Sequence, residues 1–574
     1  MSSKNPNHSR AAGHSISESI GIFTLECTKI KDFRHAENVK TFSSNGSQQS
    51  CMVSDPFSLN ENSNQNNILI TGCTGHIGLA LTQKVSKDQK PVVIFRNQST
   101  ELKNLITEKK IIPLQIDIAK KNQIEKHHPI LEKIQTIVHL AAFVPKKKDQ
   151  DRFEQSIEQN LLATINLIEN TPKCTHFIFA STCEVYGPPT QTPITEEHPL
   201  NPTSLYGASK VAAEKYLQVY CQKKNIKLTI VRLTNIYGPG ETIQRAIPNF
   251  ILNALQNQKP IIYGTGEDQR DFMYIDDAIN FIIETIKEQK IGVYNIVQGQ
   301  SMSIKKIAEN ICNLIDKNIT PLTQTSTNPK IDYIFNNEKI KKHFTYQPQT
   351  LLEEGLKKEI EWFQQRTTLF FDLDGTLLDV HQRIYKAHQD ALQHLNHRSP
   401  YTFEQYIQLK RQKTSEKEIT SKILSETEYE QYSKKRNELI EKEEYLQLDT
   451  ITKTSVEKIK ELKKDHWLIL LTNRKNKENT LQQLDRLNLS HLFEEIIICN
   501  ETQTKYDNIQ KSLFFNKDAI IIGDTEEEMT IGQKLGIKHI AITSGMRTKE
   551  ILQQNQPTQI ISKISQFYSS KISN

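Results

Sequence analysis

Long apolar runs are missing from this chain. No stretch approaches the length that a membrane-spanning helix needs, which argues against an integral membrane protein. The N-terminal segment MSSKNPNHSRAAGHS has no apolar core of the kind that a secretory signal peptide carries. The eight cysteines form no CxxC pair and show no metal-ligand spacing. Scattered thiols are typical of a reducing compartment, so the sequence predicts a cytoplasmic protein.

A strong excess of one charge is missing as well. The chain has 73 basic and 67 acidic residues among 574, which gives a formal net charge of +6. Surfaces that bind nucleic acid or anionic membranes are far more one-sided, so neither partner is predicted. Hydrophobic residues at 36% and charged residues at 24% indicate globular material. The length is enough for about two to four domains.

Three segments differ in their patterning. Residues 1–66 are rich in Ser, Asn and Gln and are predicted to be disordered, because they cannot bury enough apolar surface to offset the entropy of ordering. In residues 67–366 short apolar strands alternate with helices, which predicts an α/β, doubly wound parallel sheet with a small lobe. Residues 367–574 repeat the alternation around a charged helical insert at about 380–460, which predicts a second doubly wound domain.

The segment TGCTGHIG lies between the first predicted strand and a helix. Its glycines, Gly72, Gly75 and Gly78, let the backbone approach a pyrophosphate, and the helix N-terminus supplies N–H donors and a positive dipole. Glycine turns also occur for packing alone, but here the strand, the turn and the helix agree. The segment therefore predicts a dinucleotide site.

A later stretch, FIFASTCEVYG followed by YGASK, carries groups that can move protons. The strand FIFA ends in a polar cluster that includes Thr182, and Tyr206 opens a helix on which Lys210 lies one turn further along. An ammonium beside a phenol stabilises the phenolate and lowers the pKa of the phenol. Together with a nicotinamide, these groups predict the reversible oxidation of a carbinol.

These motifs resemble the extended short-chain dehydrogenase/reductase family, specifically its nucleotide-sugar epimerases and dehydratases. The likeness covers about residues 67–366 and includes HLAA, RLTNIYGPG and GTGEDQRDFMYIDD. It implies that Tyr206 is the acid/base, that Lys210 holds the ribose and tunes Tyr206, and that Thr182 binds the reacting sugar hydroxyl. Sugar-nucleotide contacts are implied for Asn235 and Arg270. Cofactor contacts are implied for Gly72, Gly75, His76, Ile77, Gly78, Asp117, Ile118, Leu140, Ala141, Ala142, Asn160, Tyr206 and Lys210.

The choice of dinucleotide depends on Arg96, which ends the second predicted strand. Family members that use NAD usually have an acid in this place, which holds the ribose hydroxyls. Arginine can accept a 2′-phosphate, which favours NADP, or it can stack on the adenine while NAD binds. The sequence leaves both cofactors open.

Cys183 and Glu184 bear on the reaction. The resemblance implies that dehydratases read STDEVYG and UDP-glucuronate decarboxylases STSEVYG, whereas many 4-epimerases have small residues in both places. Glu184 could abstract the C5 proton of a 4-keto sugar, but a thiol is a poor acid for a leaving hydroxyl. Alternatively, Glu184 supports the strand end and Cys183 fills space. An epimerase is favoured over a dehydratase or decarboxylase.

FFDLDGTLLD opens the second domain with an apolar strand that ends in Asp372 and Asp374. Two carboxylates at a strand end can bind Mg²⁺, and one can attack phosphorus while the other protonates the leaving oxygen. The stretch resembles the haloacid dehalogenase-like hydrolases, with a likeness from about residue 368 to the end. It implies that Asp372 forms an aspartyl-phosphate, that Asp374 is the acid/base, and that the helical insert is a cap over the site.

The same resemblance implies further roles. Thr472 would bind a phosphoryl oxygen and Lys505 would neutralise the transition state, with Lys511 as a weaker candidate. The family often has an Asp four residues after the last Mg²⁺ ligand; here Glu528 takes that place and can still reach a metal or its water. The implied Mg²⁺ ligands are Asp372, Asp374 and Asp524.

The sequence thus predicts a bifunctional enzyme of sugar metabolism. The first half would epimerise a nucleotide sugar, and the second would hydrolyse or transfer a phosphate on a small metabolite. The rival class is a catalytically silent binding or regulatory protein that keeps both folds. The resemblance also leaves a homodimer open.

Overall fold

Two parallel sheets organise the chain. The computed structural model describes residues 67–145, 152–241, 245–327, 330–499 and 503–568, so the predicted disorder of residues 1–66 lies outside the described residues. One sheet has seven strands and belongs to the first domain, and the other has six and belongs to the second. The predicted α/β class with two parallel-sheet domains is confirmed.

The seven-stranded sheet has the order β10-β6-β5-β4-β1-β2-β3, and all of its neighbouring strands are parallel. The strand order reverses beside β1, the place where doubly wound sheets leave a crevice at their carboxyl edge. The strands of the first domain are β1 (Ile68–Thr71), β2 (Val92–Phe95), β3 (Ile112–Gln115), β4 (Thr136–His139), β5 (His176–Thr182), β6 (Lys227–Leu233), β7 (Asn235–Tyr237), β8 (Ile261–Tyr263), β9 (Gln269–Tyr274), β10 (Gly292–Ile296), β11 (Ser301–Ser303) and β12 (Leu322–Gln324).

Helices connect these strands. They are α1 (His76–Val85), α2 (Thr100–Thr107), α3 (Lys121–Glu125), α4 (His128–Leu131), α5 (Phe153–Ser156), α6 (Ala163–Glu169), α7 (Leu205–Lys224), α8 (Ala246–Leu255), α9 (Ile275–Glu288), α10 (Ile304–Ile315), α11 (Glu338–His343) and α12 (Leu352–Gln364). A π-helical turn joins α5 to α6, and a 3₁₀ turn at Cys183–Tyr186 follows β5. Strands β7, β9 and β11 form a separate small sheet, and β8 pairs with β12, so the predicted small lobe is present.

The six-stranded sheet has the order β15-β14-β13-β16-β17-β18. Its strands are β13 (Thr367–Asp372), β14 (His466–Thr472), β15 (Glu495–Ile498), β16 (Ile520–Gly523), β17 (Lys538–Ile542) and β18 (Gln559–Ile561). The helices are α13 (His381–His394), α14 (Phe403–Arg411), α15 (Glu416–Thr420), α16 (Glu426–Leu439), α17 (Glu443–Leu446), α18 (Lys453–Leu462), α19 (Lys477–Arg486), α20 (Lys505–Lys511), α21 (Glu526–Leu535) and α22 (Lys549–Gln553). Helices α13 to α17 form the insert, whose two ends are tied by backbone hydrogen bonds between Asp379 and Thr450.

Local sequence explains why the elements that carry the sites begin and end where they do. Strands β1, β4 and β14 are buried along their whole length, as expected of apolar strands in the middle of a parallel sheet. Helix α7 begins at Ser204, whose side chain accepts a hydrogen bond from the Gly207 N–H, and ends at Asn225 in the left-handed region. Helix α21 is capped by Thr525 and ends at Gly536 in the same way. No helix in the described part of the chain is long and apolar enough to cross a bilayer.

Aromatic side chains join the two domains. The rings of Trp362 on α12 and Trp467 on β14 meet edge to face at 5.1 Å, and Phe363 and Phe514 pack on Trp467 at 5.2 and 5.3 Å. The Arg366 guanidinium lies over both indoles. We call these five residues the aromatic junction. Its buried rings belong to an apolar cluster that extends from the first domain to one face of the six-stranded sheet, whereas the other face of that sheet has a separate cluster.

We expect Trp467→Ala to lower the free energy of unfolding by about 3–5 kcal/mol, because Trp467 is 3% exposed and its removal leaves a cavity at the junction. Trp467→Phe should cost less, since a ring still contacts Phe363. Urea denaturation followed by circular dichroism checks both variants. Equal midpoints for Trp467→Ala and the unaltered chain would show that the junction adds no stability.

Candidate active sites

A cavity of about 1010 Å³ follows the carboxyl edge of the seven-stranded sheet, and the glycine turn forms its floor. Gly72 has a φ of +74°, and a Cβ there would lie 2.6 Å from the Ala141 nitrogen. A Cβ on Gly78 would lie 2.0 Å from the Gly72 carbonyl oxygen. Gly75 precedes the first turn of α1, whose N–H groups have no side-chain cap. This cradle fits a pyrophosphate, because only glycine leaves the backbone that close.

His76 links the glycine turn to the loop after β7. Its Nε2 lies 3.2 Å from the Pro239 carbonyl oxygen, and its ring lies under Gly240. Burial lowers the pKa of His76 to about 4, so the ring is neutral and its Nε2–H donates to the carbonyl. His76 therefore supports the cavity wall through a hydrogen bond rather than a charge.

The predicted cofactor contacts divide into lining and supporting residues. Ile77, Arg96, Asp117, Ile118, Leu140, Ala141 and Ala142 all line the cavity. Asn160 does not: its amide exchanges hydrogen bonds with the Phe143 backbone at 2.7 and 3.1 Å and donates to Ser209 at 3.0 Å. Because Asn160 is fully buried and already paired, it holds the wall behind Ala142 and does not face the cavity.

Thr182, Tyr206 and Lys210 all line the cavity. The Thr182 hydroxyl accepts a hydrogen bond from the Glu184 N–H at 3.2 Å, while Lys210 Nζ donates to the Ala180 carbonyl at 2.8 Å. Burial lowers the pKa of Lys210 to about 7. Burial and the nearby Glu184 carboxylate raise the pKa of Tyr206 above its ordinary value. In the structure burial thus outweighs the lowering expected from an adjacent ammonium.

Cys183 and Glu184 have different surroundings. Cys183 is buried, its thiol donates to the Arg232 carbonyl at 3.6 Å, and burial raises its pKa well above the ordinary value. Glu184 is exposed and accepts a hydrogen bond from Ser204 at 3.0 Å. Glu184 is therefore a carboxylate at the cavity mouth, and Cys183 is a neutral thiol held against β6.

The predicted sugar-nucleotide contacts lie along the small lobe, where Asn235 and Arg270 both line the cavity. Asn235 donates to the Asp271 carbonyl at 3.0 Å. The Arg270 guanidinium lies 5.0 Å from the centre of the Tyr333 ring and 3.8 Å from Asp268. Burial lowers the pKa of Arg270, which remains a cation suited to phosphate oxygens.

Sequence reasoning missed several residues that line this cavity. They are Glu241, Arg245, Tyr333 and Phe335. Tyr333 and Phe335 belong to an irregular segment with no helical or strand periodicity, and no motif marks them. Their stacked rings, 6.4 Å apart, give the sugar end of the cavity an apolar face.

The second site lies at the end of β13. The Thr376 hydroxyl donates to Asp372 at 3.2 Å and to Asp524 at 2.9 Å, so the two carboxylates flank one hydroxyl. Gly375 has a φ of +87°, and a Cβ there would lie 2.2 Å from an Asp524 oxygen. The glycine of the motif is therefore required for the strand end and Asp524 to approach each other.

Lys505 is the cation of this site. Its Nζ donates to Asp372 at 2.6 Å and also to Glu528, which in turn accepts from Thr525 at 2.6 Å. Burial alone would lower the pKa of Lys505, but the facing carboxylates raise it well above the ordinary value. Lys511 is exposed at the end of α20 and lies outside the site. Glu528 thus binds the lysine in the structure.

Asp374 is held by two arginines that sequence reasoning missed. Arg383 on α13 reaches it at 2.8 Å, and Arg474 Nε donates to the same carboxylate at 3.0 Å. Both arginines also pair with the buried Asp449, at 2.9 and 3.0 Å. Burial works against ionisation, but the two guanidiniums lower the pKa of Asp374. Arg474 comes two residues after Thr472, which ends β14, so its position near a strand end could have marked it as a site residue. Arg383 lies in the insert and Asp449 lies beside it, and no sequence motif marks either residue.

Oxygen ligands at this site fit a Mg²⁺ ion. Within the described ranges no group of three or more His, Cys, Asp or Glu side chains forms a ready metal site. Mg²⁺, however, commonly binds through one or two carboxylates and keeps several waters. Asp372 and Asp524, on either side of Thr376, provide such a pair, and Thr472 is buried at the end of the neighbouring strand β14.

Comparisons with known proteins agree with this division. The NAD dependent epimerase/dehydratase family matches residues 68–297, and the haloacid dehalogenase-like hydrolase family matches residues 369–542. The putative UDP-glucose 4-epimerase of Methanocaldococcus jannaschii is 29% identical over 303 residues, 52% of this chain and 98% of that protein. The dTDP-D-glucose 4,6-dehydratase of Bos taurus is 30% identical over 245 residues, 41% of this chain and 69% of that protein. The structure of UDP-glucuronic acid 4-epimerase from Bacillus cereus in complex with UDP-glucuronic acid and NAD is 26% identical and covers 52% of this chain and 99% of its own, with a TM-score of 0.47.

We expect Gly78→Ala to destabilise the first domain by about 1–3 kcal/mol, because the added methyl would collide with the Gly72 carbonyl. Gly75→Ala is the matched control, since its Cβ would make an ordinary contact at 3.4 Å. Urea denaturation compares the two variants. Equal losses of stability would contradict the close approach of Gly78 to the Gly72 carbonyl.

Proposed function

Because the chain belongs to the NAD dependent epimerase/dehydratase family through its first domain and to the haloacid dehalogenase-like hydrolases through its second, we propose that it is a bifunctional enzyme of sugar metabolism. The first domain epimerises a nucleotide sugar through a 4-keto intermediate with a bound nicotinamide dinucleotide. The second is a Mg²⁺-dependent phosphatase that acts through an aspartyl-phosphate on a phosphorylated small molecule.

The first part of the proposal rests on one observation. Thr182, Tyr206 and Lys210 line the same cavity as the glycine turn. Tyr206 accepts the proton of the C4 hydroxyl, and Thr182, which lines the same cavity, binds that hydroxyl through its own hydroxyl group. A bound nicotinamide supplies the hydride acceptor. Once the 4-keto sugar has turned over, hydride would return to its other face and Tyr206 returns the proton, so there is no net oxidation.

Cys183 favours epimerisation over dehydration. Loss of a sugar hydroxyl requires an acid at the leaving oxygen. Cys183 stands where the resembling dehydratases carry an aspartate, but its thiol is neutral, buried and bonded to the Arg232 carbonyl. Glu184 alone could exchange a proton at the sugar, which does not complete a dehydration.

In the second domain, Asp372 attacks the phosphorus and forms the aspartyl-phosphate. Lys505, 2.6 Å from Asp372, balances the charge that grows on the phosphoryl oxygens, and Thr472 donates to one of them. Asp372 and Asp524 would hold Mg²⁺, which neutralises the phosphate. Asp374 gives a proton to the leaving oxygen and then takes one from the water that hydrolyses the aspartyl-phosphate, which requires it to separate from Arg383 and Arg474.

Tyr206→Phe should lower the epimerase turnover by about 10²–10⁴-fold, since it removes the acid/base. NMR of UDP-glucose, UDP-glucuronate and dTDP-glucose incubations measures the reaction, and the absorbance of bound nicotinamide separates lost chemistry from lost cofactor. Tyr220→Phe, on the same helix but outside the cavity, is the matched control. Full activity of Tyr206→Phe would refute the assignment.

Asp372→Asn should reduce Mg²⁺-dependent release of phosphate from p-nitrophenyl phosphate by at least about 10³-fold, because no nucleophile remains. Asp379→Asn, an exposed aspartate of the same motif, should retain activity. Chelation of Mg²⁺ should abolish release by the unaltered chain. Phosphate release by Asp372→Asn at the normal rate would exclude the aspartyl-phosphate.

A further inference from the structure

The second domain lines part of the cavity that holds the glycine turn. At the end where Arg96 and the residues after β2 lie, the cavity is also bounded by side chains from the last helix of the first domain and from the second domain. They are Trp362, Arg366, Lys460, Lys463, Lys464 and His491. We call this set the interdomain wall. Nothing in the motifs of either domain predicts it, because each motif belongs to one domain.

Hydrogen bonds and ring stacking fix the interdomain wall in place. The amides of Asn97, after β2, and Asn488, after α19, exchange hydrogen bonds at 3.4 Å across the domain boundary. Arg366 stacks on Trp362 and Trp467 and donates to the Lys463 carbonyl at 3.4 Å. Lys463 Nζ donates to the carbonyls of His491 and Leu492 at 3.1 and 2.9 Å. The wall is thus attached to Trp467 and to the end of β2.

Positive charge predominates at this end of the cavity. Lys463 is paired with Glu494 at 2.9 Å, which leaves its charge balanced. Lys460 lies in the last turn of α18, Lys464 lies in the turn that follows the helix, and both are half-buried. The cations Arg96, Arg366, Lys460, Lys463 and Lys464 outnumber the carboxylates Glu101, Asp117 and Glu494. The region therefore favours an anion beyond the pyrophosphate.

The end of the second strand is where a dinucleotide-binding fold places the adenosine ribose, and an arginine there suits a 2′-phosphate. We propose that the second domain completes the cofactor site, and that Lys460 and Lys464 act with Arg96 to bind the adenosine 2′-phosphate, so that the chain prefers NADP to NAD. This inference rests on the proposed dinucleotide function of the first domain.

The test measures the dissociation constants of NADP⁺ and NAD⁺ by isothermal titration calorimetry on the full chain. Lys464→Glu should weaken NADP⁺ binding by about tenfold, the loss of one charge-assisted hydrogen bond, and change NAD⁺ binding by less than about twofold. Lys464→Gln should give a smaller loss in the same direction. Lys453→Glu, an exposed lysine at the other end of α18 and outside the cavity, should leave both constants unchanged.

The outcomes separate this inference from the proposed function. The unaltered chain could bind a dinucleotide while Lys464→Glu leaves NADP⁺ binding unchanged or weakens NADP⁺ and NAD⁺ binding equally. Either result overturns the role of the interdomain wall and leaves the epimerase proposal standing. A preference of the unaltered chain for NAD⁺ overturns it too. An unaltered chain that binds neither dinucleotide overturns both.

Discussion

Both domains depend on the parallel direction of their central strands. Polar groups that reach a ligand lie near the carboxyl ends of such buried strands, and these ends all lie at one edge of a parallel sheet. In the first domain this edge collects the glycine turn, Asp117 and Thr182. In the second it collects Asp372 and Asp524. Helices then add the groups that strands cannot, namely Tyr206 and Lys505 at the first turns of α7 and α20.

Features that depend on short sequence separation could be predicted from the sequence. The strand–turn–helix around Gly72, the one-turn spacing of Tyr206 and Lys210, and the strand end at Asp372 each lie within a few residues. Partners that come together only through tertiary structure could not. Arg383 meets Asp374 because the insert folds back on the core, and Tyr333 reaches the cavity from an irregular segment. Neither event leaves a local pattern.

Burial affects the pKa values of the site residues more than their spacing along the helix does. Tyr206 and Lys210 both line the cavity, yet desolvation raises the pKa of Tyr206 and lowers that of Lys210, because both side chains are buried. Lys505 shows the opposite balance, since two facing carboxylates outweigh its burial. Residue spacing identifies which groups meet, but the depth of the site and the full set of neighbours decide their charge.

The aromatic junction has a consequence for the history of the chain. A break between the domains would leave Trp467 and Phe514, now buried beneath α12, facing water together with Phe363. Large exposed aromatic patches promote association, so each domain on its own would tend to aggregate. Once the aromatic junction has formed, separating the two domains requires several polar substitutions in it at the same time. Selection against separation can therefore act through solubility alone, whether or not the two reactions belong to one pathway.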